Sequence, residues 1–286
     1  MAGSPQGVSP MYELVLCHRK KSGLGYDEFH SHWRQMRSAL VLTLQPALGY
    51  SSYAQLHQSS RLNPLYLSVL LTRSRLVTSL LATKKMVPRQ PNSRMRWEER
   101  WDVTDEFLFP SKDAMVQALM SDAGAAAARR LVEDQTPRVH RTEVVTAEQF
   151  VAAPDPAPAM MDARTVFFLR RRPELTRQEM LDYWGGSHKR LVLSLQNDLK
   201  YRSYNQLHVR SAPDLAAVAQ RFESSVAEEF DGVAELCFTS QWDLVKGVFR
   251  PVTELANLKL VKDETNFIDG QRSELVLGNH YRFPLG

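Results

Sequence analysis

The sequence predicts an α+β fold: two ferredoxin-like βαββαβ halves fused in one chain, their sheets packed face to face in a barrel-like sandwich. Three observations predict it: an internal repeat, the same order of strand-type and helix-type periodicity in both halves, and a Pro/Ala-rich segment between them. Sliding the chain against itself by 151 residues lays Glu13–His57 over Arg164–His208 without a gap. Identical pairs include Trp33/Trp184, Leu40/Leu191, Gln45/Gln196, Tyr50/Tyr201, Tyr53/Tyr204, Gln55/Gln206 and His57/His208. Further on the offset becomes 129, so that Trp101-Asp102 meets Phe230-Asp231 and Glu106 meets Glu235. The first half therefore carries 22 extra residues (151 − 129) between His57 and Trp101.

Each half reads in the same order. First strands are expected at Tyr12–Arg19 and Arg164–Arg171, each followed by a helix. In the second half Thr176-x-x-Glu179 is a capping box that starts that helix. Its apolar face is Met180, Trp184, His188, Leu191 and Leu195, against Phe29, Trp33, Arg37, Leu40 and Leu44 in the first half. Second strands fall near Leu48–His57 and Leu199–His208, third strands near Thr104–Phe109 and Val233–Phe238. Helices should start after Ser111 and Ser240 as N-caps, and last strands near Val139–Thr146 and Ser273–Leu277. Such a half covers one sheet face with helices and leaves the other bare, so two halves must meet. The expected organisation is a first half over 11–150 with a basic insert at about 61–100, a linker over 151–162, and a second half over 163–286.

Composition narrows the function. The 36 Lys+Arg against 32 Asp+Glu leave a formal charge of +4, too small a surplus to point to nucleic acid. Cys17 and Cys237 sit in apolar runs and read as buried free thiols of a reducing compartment. No secretory signal or membrane span is expected, because Leu65–Leu81 is interrupted by Arg73 and Arg75; the expected location is cytoplasmic. Metal-ligand clusters, Gly-rich phosphate loops, a Gly-x-Ser-x-Gly elbow and dinucleotide fingerprints are absent from the sequence, which argues against kinases, hydrolases and nicotinamide enzymes. His30 and His32, two apart on a helix, make a poor metal pair. The insert, with nine basic residues and only Glu98 and Glu99 as acids, reads as a lid, a partner surface, an anionic-ligand site or a solvated extra helix.

A strand ending in Arg, a helix carrying Tyr183-Trp184 and His188, a strand with Tyr204-x-Gln206-x-His208 and a late Asp263-Glu264-x-x-Phe267-Ile268-Asp269 together resemble the EthD-like family of the dimeric α/β barrel superfamily, in a tandem, fused form. The second copy carries the pattern best; in the first, Arg37 stands where His188 stands and Asp134-Gln135 where Asp263-Glu264 stand. The resemblance implies a cofactor-independent tailoring enzyme (cyclase, dehydratase, decarboxylase or isomerase) working by acid–base chemistry on an aromatic or polyketide-like small molecule. One alternative is a cofactor-free or haem-assisted monooxygenase, and another a non-enzymatic small-molecule binding or stress-associated protein. No cofactor is expected, with haem left open, and the chain is expected to be a monomer or homodimer whose partner is a hydrophobic small molecule.

His188 is the leading acid or base, one helical turn beyond Trp184 on the apolar face. Its rival reading is a core histidine bonded to a backbone carbonyl. Tyr183 would donate to a developing enolate, with His208 assisting. Trp33, Arg37, Tyr53, Gln55 and His57 in the first half and Trp184, Tyr204 and Gln206 in the second are the candidate substrate-binding residues. Alternation puts Tyr204, Gln206 and His208 on one strand face; they are expected to line the gap between the sheets, or to form a ladder that fixes how the halves pair. Asp182, Asp263 and Glu264 read as helix or loop charges. Because only the second copy keeps the histidine, the main pocket should lie beside His188, with Arg37 salt-bridged or directed to the surface.

Overall fold

The computed structural model describes residues 11–59, 101–210, 213–227, 230–248, 250–270 and 272–285. The basic insert expected at about 61–100 lies outside the described residues. Nine strands form one sheet: β1 Met11–Lys20, β2 Ser52–Gln58, β3 Val103–Phe109, β4 Val139–Ala153, β5 Met161–Leu169, β6 Ser203–Val209, β7 Ser225–Val226, β8 Gly232–Phe238 and β9 Glu274–Phe283. Eight of them close antiparallel into a barrel in the order β4-β1-β3-β2-β9-β5-β8-β6, with β6 returning to β4; the short β7 lies parallel on β4. The strand order within the first half, β4-β1-β3-β2, recurs in the second as β9-β5-β8-β6.

The halves are joined more tightly than two stacked sheets would be. Strand β2 hydrogen-bonds β9 from Tyr53↔Phe283 to Gln58↔Gly278, and β4 bonds β6 from Ala147↔Val209 to Ala153↔Tyr204. At the first seam the backbones close tightly: a Cβ on Gly278 would sit 2.3 Å from the His57 carbonyl oxygen. The segment between β4 and β5 is also shorter than the expected 151–162 linker, because β4 continues through Ala153 and β5 begins at Met161.

The lumen is filled, not open. Val15, Cys17, Leu56, Val145, Val166, Phe168, Leu207 and Val233 pack there, and both cysteines are buried as thiols, outside any disulfide. Across this core Arg164 donates to Glu235 at 2.9 Å, and His280 bonds Glu106 at 3.0 Å. Glu13 is pushed well above the usual carboxylate range by burial and by Glu235 and Glu106 beside it, so it stays protonated and the lumen avoids an uncompensated charge. Glu13, Glu106 and Glu235 lie close enough to share an ion, but Arg164 and His280 already partner two of them.

This filling corrects the expected facing of the strands. Ser203 and Leu207 turn inward, whereas Tyr204, Gln206 and His208 turn outward beneath the helices, as Tyr53, Gln55 and His57 do in the first half. The alternation itself is as read from the sequence; the helix-side partners of the polar trio decide which way it points.

Those partners come from the helices. The first-half helix runs α1 Tyr26–His32, a π-helical turn Trp33–Arg37 and α2 Ser38–Leu48; the second repeats it as α5 Arg177–Tyr183, a π-helical turn Trp184–His188 and α6 Lys189–Ser194. Such turns are rare and are enriched at functional sites. In each copy the carbonyl that opens the turn accepts from the sheet: Gln55 Nε2 donates to Trp33 O at 2.9 Å, and Gln206 Nε2 to Trp184 O at 3.1 Å. The shared Tyr-x-Gln-x-His motif therefore clamps the π-turn to the barrel. The outer layer is completed by α3 Lys112–Met120 and α4 Asp122–Gln135 in the first half. Helices α7 Gln196–Leu199, α8 Pro213–Arg221, α9 Gln241–Val248 and α10 Pro251–Glu264 follow in the second. Ser111 and Ser240 cap as expected, their hydroxyl oxygens accepting from Ala114 N and Asp243 N. Among the described residues no helix is long and apolar enough to cross a membrane.

Candidate active site

The second-half helix is fixed before its active residues are reached. Thr176 and Glu179 form the capping box at its start. One turn on, Trp184 lies flat against the sheet at Gly232, where an added Cβ would come within 2.4 Å of the indole. Its Nε1 donates to Tyr204 Oη at 3.1 Å, and His208 stacks on its ring at 5.0 Å between centroids. The π-turn then brings His188 over the sheet, 6% exposed.

His188 is not a core histidine bonded to a carbonyl. Its Nδ1 lies 2.7 Å from Asp263 Oδ2, in the last turn of α10. The second carboxylate oxygen accepts from Tyr183 Oη at 2.8 Å, and Asn266 Nδ2 donates to that hydroxyl at 2.9 Å. Burial and the Asp263 bond raise the Tyr183 pKa, so the phenol remains a donor. With Asp263 as the acceptor the imidazole proton sits on Nδ1 and a lone pair is left on Nε2, the tautomer of a general base, and His188 is among the residues that line a cavity.

That cavity measures about 90 Å³ and lies between the outer sheet face and the helices. At about 10–15 Å³ per water it has room for about six to nine water molecules, the bulk of a small aromatic ring system. Its walls are mostly apolar: Phe167, Leu236 and Leu275 from the sheet, Trp184, Val192 and Leu260 from the helices. This is the composition of a small-molecule pocket with a few placed polar groups.

In the first half the corresponding space is filled. Arg37 is fully buried there; its Nε reaches Asp105 Oδ2 at 3.0 Å, its Nη1 donates to Leu131 O at 2.6 Å, and Asp134 lies at 3.5 Å. Its guanidinium also covers the Trp33 ring at 5.4 Å. His18 Nε2 and Tyr53 Oη bind the same Asp105 carboxylate. Burial alone would raise the Asp105 pKa, but Arg37 and the His18 hydrogen bond outweigh it and hold the carboxyl below its ordinary value. By the 151 and 129 offsets, Leu169 and Ala234 stand in the second half where His18 and Asp105 stand in the first. The polar plug of the first half is thus replaced by two apolar side chains and a shorter His188, and the vacated space is the cavity.

The remaining predicted site residues separate along the same line. Trp184, His188 and Tyr204 line the cavity, with Tyr183 behind His188 through Asp263. Gln206 holds the π-turn, and His208 lies on Trp184, its pKa pushed down to about 4 by burial and by Arg210. Trp33, Tyr53, Gln55 and His57 are buried in the solid first half; His57 Nδ1 meets His30 Nδ1 at 2.8 Å. Asp263 is the residue the sequence reading missed as a site member. The available signal was that Asp134/Asp263 and Arg37/His188 occupy matching positions in the two copies, so each acid faces its own copy's basic group.

Residues 172–271 match the EthD domain, so the domain lies in the half that holds the cavity. No curated protein matches the chain. Among solved structures, an anthrone oxidase-like protein is similar with a TM-score of 0.55 at 8% identity, covering 96% of this chain and 92% of its own. A candidate monooxygenase of Fusobacterium nucleatum subsp. nucleatum is similar with a TM-score of 0.50 at 7% identity, over 96% and 94%. A dye-decolorizing peroxidase of Bacteroides thetaiotaomicron gives a TM-score of 0.48 at 8% identity, over 96% and 94%. Identities this low show a common fold alone.

Proposed function

We propose, for a chain whose second half carries an EthD domain, that this half is the active one of two fused ferredoxin-like halves, bounded near 11–150 and 163–286, and that it deprotonates an aromatic carbon acid and hands the carbanion to oxygen. The observation that carries the reading is the Asp263–His188 pair, whose histidine lines an apolar cavity. Asp263 would orient the ring and stabilise the imidazolium once it forms, and Tyr183 would hold Asp263. The carbon proton passes to Nε2 and its electron pair spreads into the aromatic system. Dioxygen, the co-reactant, then accepts electrons from the carbanion; a CH2 becomes C=O and the second oxygen atom leaves as water.

From sequence, lyase, cyclase or isomerase chemistry ranks ahead of oxidation. The likeness to an anthrone oxidase-like protein and a candidate monooxygenase supports the oxidative alternative instead. Proton abstraction is the step both share. This one cavity, among the described residues, does not fit haem: it has about 90 Å³, and no Lys or Arg lines it to meet a macrocycle's carboxylates. No step is routed through that group.

The test uses anthrone. In oxygen-free D2O the protein should accelerate exchange at the CH2 carbon, and in air it should consume one O2 per anthraquinone formed. His188→Gln should lose about 10²–10⁴-fold in kcat for both processes with an unchanged melting curve. Full exchange in folded His188→Gln would end the assignment, and a Soret band in the purified protein would favour the haem-assisted reading.

A further inference from the structure

The cavity floor contains a polar group that nothing in the fold uses. Thr165 lies mid-strand in β5, opposite Leu236 of β8 and Leu277 of β9, and its side chain is turned to the helix side. The residue is 5% exposed, and its Oγ1 has no hydrogen-bond partner among the described residues. Other cavity hydroxyls are engaged: Thr253 donates to Asp198 O, and Tyr204 Oη takes the Trp184 and Gln206 donors. A buried hydroxyl left unpaired is destabilising, and valine would fill the same shape without that penalty. The first half shows the apolar solution. At the 151 offset its residue is Leu14, packed into the apolar core of that half. The hydroxyl thus occurs in the copy that also has the cavity and His188.

We propose that Thr165 is the specificity-determining residue of this cavity, donating its hydroxyl to a carbonyl or phenolic oxygen of a planar aromatic ligand whose reacting carbon faces His188 on the opposite wall. The oxygen-bearing ligand class rests on the unpartnered Oγ1; the placement of the reacting carbon rests on the proposed function above. The two roles fit one reaction. When His188 Nε2 takes the carbon proton, the electron pair moves through the ring onto the ketone oxygen, which becomes an enolate. The Thr165 hydrogen bond strengthens as that charge grows, so it stabilises the transition state more than the bound ketone.

Anthrone and 9,10-dihydroanthracene share a ring skeleton and differ in the ketone, so they isolate the contact. Binding is read by quenching of tryptophan fluorescence, since Trp184 lines the cavity. Wild-type protein should bind anthrone about tenfold or more tightly than dihydroanthracene, and Thr165→Val should abolish that preference by weakening anthrone alone. Thr165→Ser should keep it. In the absence of ligand, Thr165→Val should melt at or above the wild-type temperature, because it removes an unpaired buried hydroxyl. Equal affinities in wild type, equal losses for both probes in the valine variant, or a lowered melting temperature that Ser restores would each overturn the proposal. So would an unchanged anthrone affinity in Thr165→Val, the result expected if the hydroxyl meets only water. The binding readout needs no turnover, so an inactive His188 would leave it standing. Normal anthrone oxidation by Thr165→Val would refute Thr165 and leave the proposed function intact.

Discussion

Arg37 offers the sharpest test of why one half is solid and the other hollow. Arg37→Ala removes the partner of Asp105, a carboxylate with no exposed surface, and strands the Leu131 carbonyl that the guanidinium now satisfies. His18 and Tyr53 still reach Asp105, but His18 is held neutral by its own burial, so the cation is gone. Breaking one partner of a buried ion pair costs about 3–5 kcal/mol, and a truncated long side chain adds a cavity on top of that. Replacing both partners with apolar groups of similar size is often close to neutral. Arg37→Ala should therefore lose about 3–5 kcal/mol, and Arg37→Met with Asp105→Leu should recover most of it. Urea unfolding at pH 7, with the slope unchanged and the midpoint shifted, measures both. The same measurement separates a plug from a ligand site. The Met/Leu double variant should keep wild-type anthrone turnover per folded molecule, because the cavity lies in the other half. A loss under 1 kcal/mol in Arg37→Ala, or a double variant as unstable as the single, would refute the plug.

Two further outcomes follow from the packing around Trp184. His208 is pushed down to about 4 by burial, whereas an unfolded histidine titrates near 6.5, so its neutral form stabilises the fold above 6.5 and that contribution is lost as pH falls toward 4. His208→Phe keeps a ring on Trp184 and should flatten the fall of stability between pH 6.5 and 4 by up to about 1.4 kcal/mol per pH unit, read from urea midpoints; an unchanged slope would contradict the assignment. Gly232→Ala puts a methyl into the space of the Trp184 ring and should cost about 1–3 kcal/mol while disturbing the π-turn. Its anthrone exchange rate should fall further than its stability accounts for, and a wild-type rate in the alanine variant would detach the Trp184 seat from the site.

The architecture was legible because it is written twice. Offsets of 151 and then 129 residues constrain the strands and helices of one copy by its twin, and strands read that way start within four residues of those observed, although the last strand of each copy runs six or seven residues further than expected. The facing of the strands was not legible. Alternation separates Tyr204, Gln206 and His208 from Leu207, but it carries no sign, and burial favours the helix side only once Trp184 O needs a donor from Gln206. The π-turns that create that need have no sequence signature, since Trp-x-x-x-His and Trp-x-x-x-Arg suit an ordinary helix as well. The site was half legible for a related reason. His188 stands out because its twin is Arg37, a difference visible in one dimension. Asp263 and Thr165 become meaningful only when β5 and α10 are brought to the same cavity. Thr165 against Leu14 and Ala234 against Asp105 were also visible as differences between the copies, yet a single small residue in a strand reads as packing. Taken together, the exchanges Arg37/His188, His18/Leu169, Asp105/Ala234 and Leu14/Thr165 replace a charge network by a cavity lined by His188 and by a Thr165 hydroxyl that has no partner among the described residues. Duplication makes that exchange possible: the plugged half supplies four of the barrel strands and one strand of each seam, a packed frame against which the other half can hold a cavity.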